Sequence, residues 1–189
     1  MAAKNMTEQK FLRSLTFLFD MPVIAILTAL IIFKRTKDIK SLAIFILFFT
    51  LIPLTSWFYF FKKRNYKQYR RVSFITNMFS FSTGFFLLLL TQSNKIFIAI
   101  SLSYFLSGFF LAVINASGYK ASGHAAGIAG PGISIGIVYG LIGYLFLLLL
   151  VPAGYAKIKI EDHTVMQFVI GAATTIIITF ISFYLLRVI

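Results

Sequence analysis

Long apolar runs separated by short polar islands set the pattern of this chain. Residues 41–61, 72–91, 96–116 and 164–187 each approach the ~20 residues that a helix needs to cross a hydrocarbon core. Lipid offers no partner for backbone polar groups, so such runs are read as helices. Asp20 with Pro22 marks a helix start, because Pro fits the first turn and an acidic group favours the N-terminal end of the dipole. The helix that follows covers about 22–33, short for a crossing; the other reading is one kinked helix from Phe11 with Asp20 inside the bundle. Pro53 predicts a kink, and Thr91-Gln92-Ser93-Asn94-Lys95 predicts a reversal. From 125 to 152 the chain is apolar, broken by Gly130-Pro131-Gly132 and by Tyr139-Gly140-Leu141-Ile142-Gly143. That stretch reads as one long kinked helix or as two short ones reversing at 139–143. Two such helices would rise only ~22 Å each, which a bundle interior tolerates.

The expectation is an all-α, polytopic transmembrane helix bundle of six to seven spans, with polar loops converging on one membrane face. A single domain covers 1–189, of which 1–20 form a polar and interfacial N-terminal segment. Composition sharpens this. With 59% hydrophobic residues and a mean hydropathy of +0.91, a soluble domain of this length has no way to bury its apolar surface. The N-terminal stretch lacks a small-residue cleavage site, so the first apolar segment is expected to remain as a helix. Cysteine is absent, which removes disulfides and thiolate metal sites. The net charge of +13 lies in short loops between apolar spans, where it sets topology, meets head groups or binds phosphate; nucleic acid is not an expected partner.

Three polar islands stand out. The first is Lys62-Lys63-Arg64-Asn65-Tyr66-Lys67-Gln68-Tyr69-Arg70-Arg71. The second is Gly118-Tyr119-Lys120-Ala121-Ser122-Gly123-His124, and the third is Lys157-Ile158-Lys159-Ile160-Glu161-Asp162-His163. His124 and His163 are the only histidines. Ionisable groups in a bilayer are costly, so those retained mark functional candidates. Each island has a plain structural reading: a histidine hydrogen-bonded between helices, an interfacial histidine beside Asp162, a basic loop that fixes topology. Gly127, Gly130 and Gly132 fit close helix packing in the same way. One active site explains all three islands together.

In spacing and order the islands resemble the type-2 phosphatidic acid phosphatase superfamily, which includes undecaprenyl pyrophosphate phosphatases and vanadium haloperoxidases. Ala121-Ser122-Gly123-His124 is similar to its Pro-Ser-Gly-His motif, with Ala for Pro. Lys157, five residues, His163, three residues and Gln167 follow its third motif, with Lys for Arg and Gln for Asp. Its first motif, Lys, six residues and Arg-Pro, fits Lys63 with Arg70 or Arg64 with Arg71, neither followed by Pro. The resemblance implies a metal-independent lipid phosphatase without cofactor. His163 would attack phosphorus and carry the phosphoryl group, and His124 would protonate the leaving oxygen. Lys63, Arg70, Ser122, Gly123 and Lys157 would hold phosphate oxygens, and Gln167 would orient the His163 ring. The implied substrate is a lipid phosphate or polyprenyl (pyro)phosphate. A non-hydrolytic binding protein or transporter using the same pocket is the alternative, favoured by Gln167. A third reading is a structural membrane subunit whose basic loops contact head groups.

One active site requires all three islands on one face, which holds if 125–156 crosses twice. That face then carries twelve Lys and Arg against six opposite. The positive-inside rule places it in the cytoplasm of a multi-pass cell-membrane protein.

Overall fold

The computed structural model describes Leu12, residues 16–63, 66–160 and 163–189, apart from the side chains of 59–67 and 70. All regular structure among the described residues is helical. The first long helix, α1 (Met21–Thr36), begins where Asp20 turns extended and its carboxylate accepts the Met21 N–H at 2.9 Å. A short helical turn at 16–18 precedes it, so the chain takes the helix start at Asp20 rather than one helix from Phe11. α1 runs three residues past the expected 33, because Lys34 and Arg35 complement its C-terminal dipole and Lys37 closes it at φ 55°.

α2 (39–63) is capped by Asp38, which accepts the Ser41 N–H and hydroxyl. It passes through a π-helical stretch, Leu47–Leu51, before continuing as Ile52–Lys63. Pro53 has no N–H and its ring crowds the carbonyl four residues back, so the wider turn falls just ahead of it. α3 (Tyr66–Leu90) starts six residues earlier than the apolar run. The basic island expected as a loop is therefore mostly helical, with only 64 and 65 outside the described residues. Charged side chains mark the end of a hydrocarbon run, but both flanking helices extend into the island.

The reversal at 91–95 leads into α4 (Lys95–Ala116), capped by Asn94. α5 (Gly123–Tyr139) follows, and Gly140 at φ 72° turns the chain into α6 (Leu141–Lys159). α5 and α6 form the two-helix alternative as an antiparallel hairpin. A Cβ at Gly136 would overlap the Tyr144 ring, and one at Gly132 would overlap Leu147. α5 is buried from Ala125 through Gly136, its small residues letting neighbours approach on every side. α7 (Val165–Leu185) starts with a reciprocal capping box between Thr164 and Gln167.

Five helices are long and apolar enough to cross a membrane: Ile39–Phe58, Arg71–Leu90, α4, α6 and α7. α1 and α5, at 16 and 17 residues, are shorter. Large apolar side chains such as Phe58, Leu90 and Leu141 lie exposed, as a lipid-facing surface requires. Inside, Phe49 stacks on Phe45 at 4.3 Å and on Phe81 at 5.1 Å, with Tyr104 edge-on to all three rings. Polar contacts join helices where aliphatic packing alone would not select a register: Ser103 and Thr179 meet at 2.7 Å between α4 and α7.

Candidate functional site

A cavity of about 480 Å³ opens at one end of the bundle, where α1, α3 and α5 begin and α4 ends. Both histidines line it, His124 from the first turn of α5 and His163 from the segment just ahead of α7. Arg71 and Lys120 supply cationic lining, and Asp20 at the start of α1 adds an acidic group. Deeper in, the wall turns apolar through Phe74, Met78, Phe81 and Leu111. One cavity thus has a charged mouth and a hydrocarbon flank.

His163 is buried, 6% exposed. Its Nδ1 lies 3.3 Å from Gln167 Oε1, and that same oxygen accepts the Thr164 N–H at 3.1 Å. A backbone N–H can only donate, which identifies the Gln167 atom as the carbonyl oxygen. Nδ1 must then be the ring donor, and in the neutral ring Nε2 carries the lone pair. The His163 N–H donates to the Lys157 carbonyl at 3.4 Å, closing the turn between α6 and α7.

His124 sits with its Nε2 3.7 Å from Asp20 Oδ1. Asp20 is clasped from several elements: Trp57 Nε1 of α2 and Tyr69 Oη of α3 donate to Oδ2 at 2.9 and 3.0 Å, and the Met21 N–H donates to Oδ1. The carboxylate is therefore at once a helix cap, a knot between α1, α2 and α3, and a neighbour of His124.

The Ser122–Gly123 step is held from behind. The Ser122 N–H donates to the Gln167 carbonyl at 3.0 Å, and the Ser122 hydroxyl accepts the Ala125 N–H at 3.3 Å. Asn115 Oδ1 accepts the Ala121 N–H at 2.9 Å, anchoring the connection to the end of α4.

The residues expected to hold phosphate separate into groups. Gly123 lines the cavity. Ser122 is fully buried and occupied as the α5 cap, and it is not among the lining residues. Lys157 is 2% exposed at the end of α6 and does not line the cavity either. The side chains of Lys63 and Arg70 lie outside the described residues, as do Arg64, Glu161 and Asp162. Of the two registers for the first motif, Arg71 belongs to the second, and this residue lines the cavity. No three His, Asp or Glu side chains cluster for a metal among the described residues.

Sequence reasoning missed Asp20, Tyr69 and Asn115 as parts of this site. The rule that singled out the histidines applies equally to Asp20, an acid set between apolar segments. Tyr69 and Asn115 carry no comparable signal, being a tyrosine in a basic stretch and an asparagine at a helix end. No family model, curated protein or solved structure matches the chain.

Proposed function

We propose that the protein is an integral membrane phosphatase, a divergent relative of the type-2 phosphatidic acid phosphatases, acting on a lipid phosphate or isoprenoid (pyro)phosphate. The observation that carries this reading is the shared cavity of His124 and His163, with Arg71 and Lys120 at its mouth and an apolar flank behind. Phosphoryl transfer requires positive charge on the non-bridging oxygens, an in-line nucleophile and an acid for the leaving oxygen. The flank suits a hydrocarbon tail, which separates this substrate class from soluble phosphate esters.

In the first half-reaction His163 Nε2 forms a bond to phosphorus while the bond from phosphorus to the leaving oxygen breaks. His124 gives that oxygen its proton. In the second, water attacks the phosphohistidine, its proton passes to His124, and inorganic phosphate leaves with His163 restored. Gln167 holds Nδ1–H throughout, which keeps Nε2 as the attacking atom.

The proposed topology has seven crossings, five by the long helices and two by α1 and α5, of which α5 is buried among its neighbours. The three islands then share one face, and the charge balance turns that face to the cytoplasm.

Purified protein in detergent with chelator present should release phosphate from short-chain lipid phosphates, and vanadate should inhibit it. Equal release by wild type and His163→Ala rejects hydrolysis at this site. The second reading, binding or transport without hydrolysis, is favoured by the neutral Gln167 beside His163. It predicts that a labelled lipid phosphate is bound and recovered intact.

A further inference from the structure

Asp20 approaches the ring of His124 from α1, and its position is set by contacts independent of that histidine. Trp57 and Tyr69 fix Oδ2 from α2 and α3, while the Met21 N–H fixes Oδ1. The two partners are mostly withdrawn from solvent, the His124 side chain 25% and the Asp20 side chain 14% exposed. A carboxylate held 3.7 Å from a ring nitrogen at this depth attracts positive charge there more strongly than at an open surface. Among the described residues, the other charged or titratable groups on the cavity are Arg71, Tyr69, Lys120 and His163. Arg71 and Lys120 oppose a charged ring, so Asp20 is the described side chain there that favours one.

We propose that Asp20 is the positioning residue of His124, the counter-charge that keeps this ring in its proton-donating form and turned toward the leaving oxygen. The proposal rests on the phosphatase reading and gives its general acid a partner from outside the three motif islands. With Nε2–H directed at Asp20, Nδ1–H is the proton delivered as the phosphorus–oxygen bond breaks. The ring then remains neutral with Nε2–H still on the carboxylate. In the second half-reaction Nδ1 takes the proton of the attacking water, and the ion pair with Asp20 is restored. Asp20 itself gains and loses no proton.

The test uses Asp20→Asn, because Asn is as good a helix cap as Asp and keeps an acceptor for Met21 while removing the charge. The measured quantity is kcat/KM for a short-chain prenyl phosphate and for p-nitrophenyl phosphate, across pH 5–9. An alkoxide needs a proton to leave, whereas p-nitrophenolate leaves without one. The expected result is a loss of about 10²-fold on the prenyl ester and little on the aryl ester, in the range set by general acid catalysis. The high-pH limb of the prenyl profile should also move to lower pH. Equal losses on both esters, or an unmoved limb, overturn the proposal. If Asp20→Asn does not fold, Tyr69→Phe loosens the same carboxylate and should show the same alkyl-over-aryl pattern at smaller amplitude.

A readout independent of turnover separates the two ideas. The chain has two histidines, so labelled-histidine NMR with His163→Gln for assignment follows the His124 ring alone. A lower titration midpoint in Asp20→Asn upholds the pairing even if wild type hydrolyses neither ester, an outcome that rejects only the phosphatase reading. An unchanged midpoint rejects the pairing.

Discussion

The backbone N–H of Ser122 donates to the carbonyl of Gln167 at 3.0 Å, so the segment carrying His124 is fastened directly to the helix that follows His163. The fastening does not depend on either imidazole. Gly171, one turn further along α7, lets the two backbones come this close, since a Cβ there would overlap the Ser122 carbonyl.

Gly171→Ala is therefore expected to push the start of α5 away from α7. The obstructing atoms are backbone, which yields less readily than a side-chain tip. A loss of about 1–3 kcal/mol is expected, seen as a lower melting temperature in detergent, with activity falling alongside. Gly123→Ala is the control for stability, because a Cβ at Gly123 meets nothing within 4 Å. Equal melting temperatures for the Gly171 variant and wild type would falsify the close-approach argument.

The cationic lining gives a second prediction. Arg71→Gln and Lys120→Gln should each weaken binding of a phosphorylated substrate, by roughly 10-fold or more if each makes one charge-assisted hydrogen bond of ~1.5–3 kcal/mol. Lys157→Met should instead lower the melting temperature and leave the inhibition constant for vanadate near wild type, because Lys157 is buried and is not among the residues that line the cavity. A larger vanadate effect from Lys157 than from Arg71 would restore the phosphate-binding role its spacing implies.

At the opposite end, Asp38 ties two loops together. Its carboxylate accepts from the Ser41 hydroxyl and N–H and from the Asn94 N–H. The Ser41 hydroxyl bond is the main cause that holds its carboxyl below the usual range; backbone bonds and Lys40 add to it, and partial desolvation opposes it. A lowered folded-state pKa gives stability that is fully present above the unfolded value of ~3.9 and is lost as pH falls through the folded value. Melting temperature should therefore drop on acidification below about pH 4 more steeply in wild type than in Asp38→Asn. Parallel acid profiles for the two proteins would remove Asp38 as a source of that dependence.

What the sequence made legible was local chemistry. Asp20 with Pro22, the polar turn at 91–95 and Gly140 mark a helix start and two reversals through backbone rules that act within a few residues. The island at 62–71 misled because charge reports departure from hydrocarbon, while α2 extends to Lys63 and α3 is already helical from Tyr66. Ser122 before a helix reads equally as a cap and as a phosphate donor; the structure shows the cap, and the burial of Ser122 is a tertiary feature that no local spacing encodes. The Asp20 clasp joins Trp57 and Tyr69 across 37 and 49 residues, a relationship that no local spacing encodes.

Gln167 is where the chain departs furthest from the motif it resembles, and its geometry gives the departure a specific meaning. One oxygen serves two donors, the Thr164 N–H of the capping box and His163 Nδ1. A neutral acceptor fixes the tautomer but adds no negative charge to stabilise a phosphorylated, positively charged ring. Gln167→Glu keeps both hydrogen bonds and adds that charge, so phosphoenzyme formation should be as fast as in wild type or faster. Gln167→Leu removes the acceptor, frees the ring to present either nitrogen, and should lower kcat/KM by on the order of 10²-fold or more. It also breaks half of the capping box, at a cost to stability of about 1 kcal/mol. Single-turnover labelling with a ³²P-lipid phosphate after acid-free quenching reads the phosphohistidine directly. Should Gln167→Leu accumulate phosphohistidine at the wild-type rate, the tautomer lock has no part in nucleophilic attack, and Gln167 is only a helix cap.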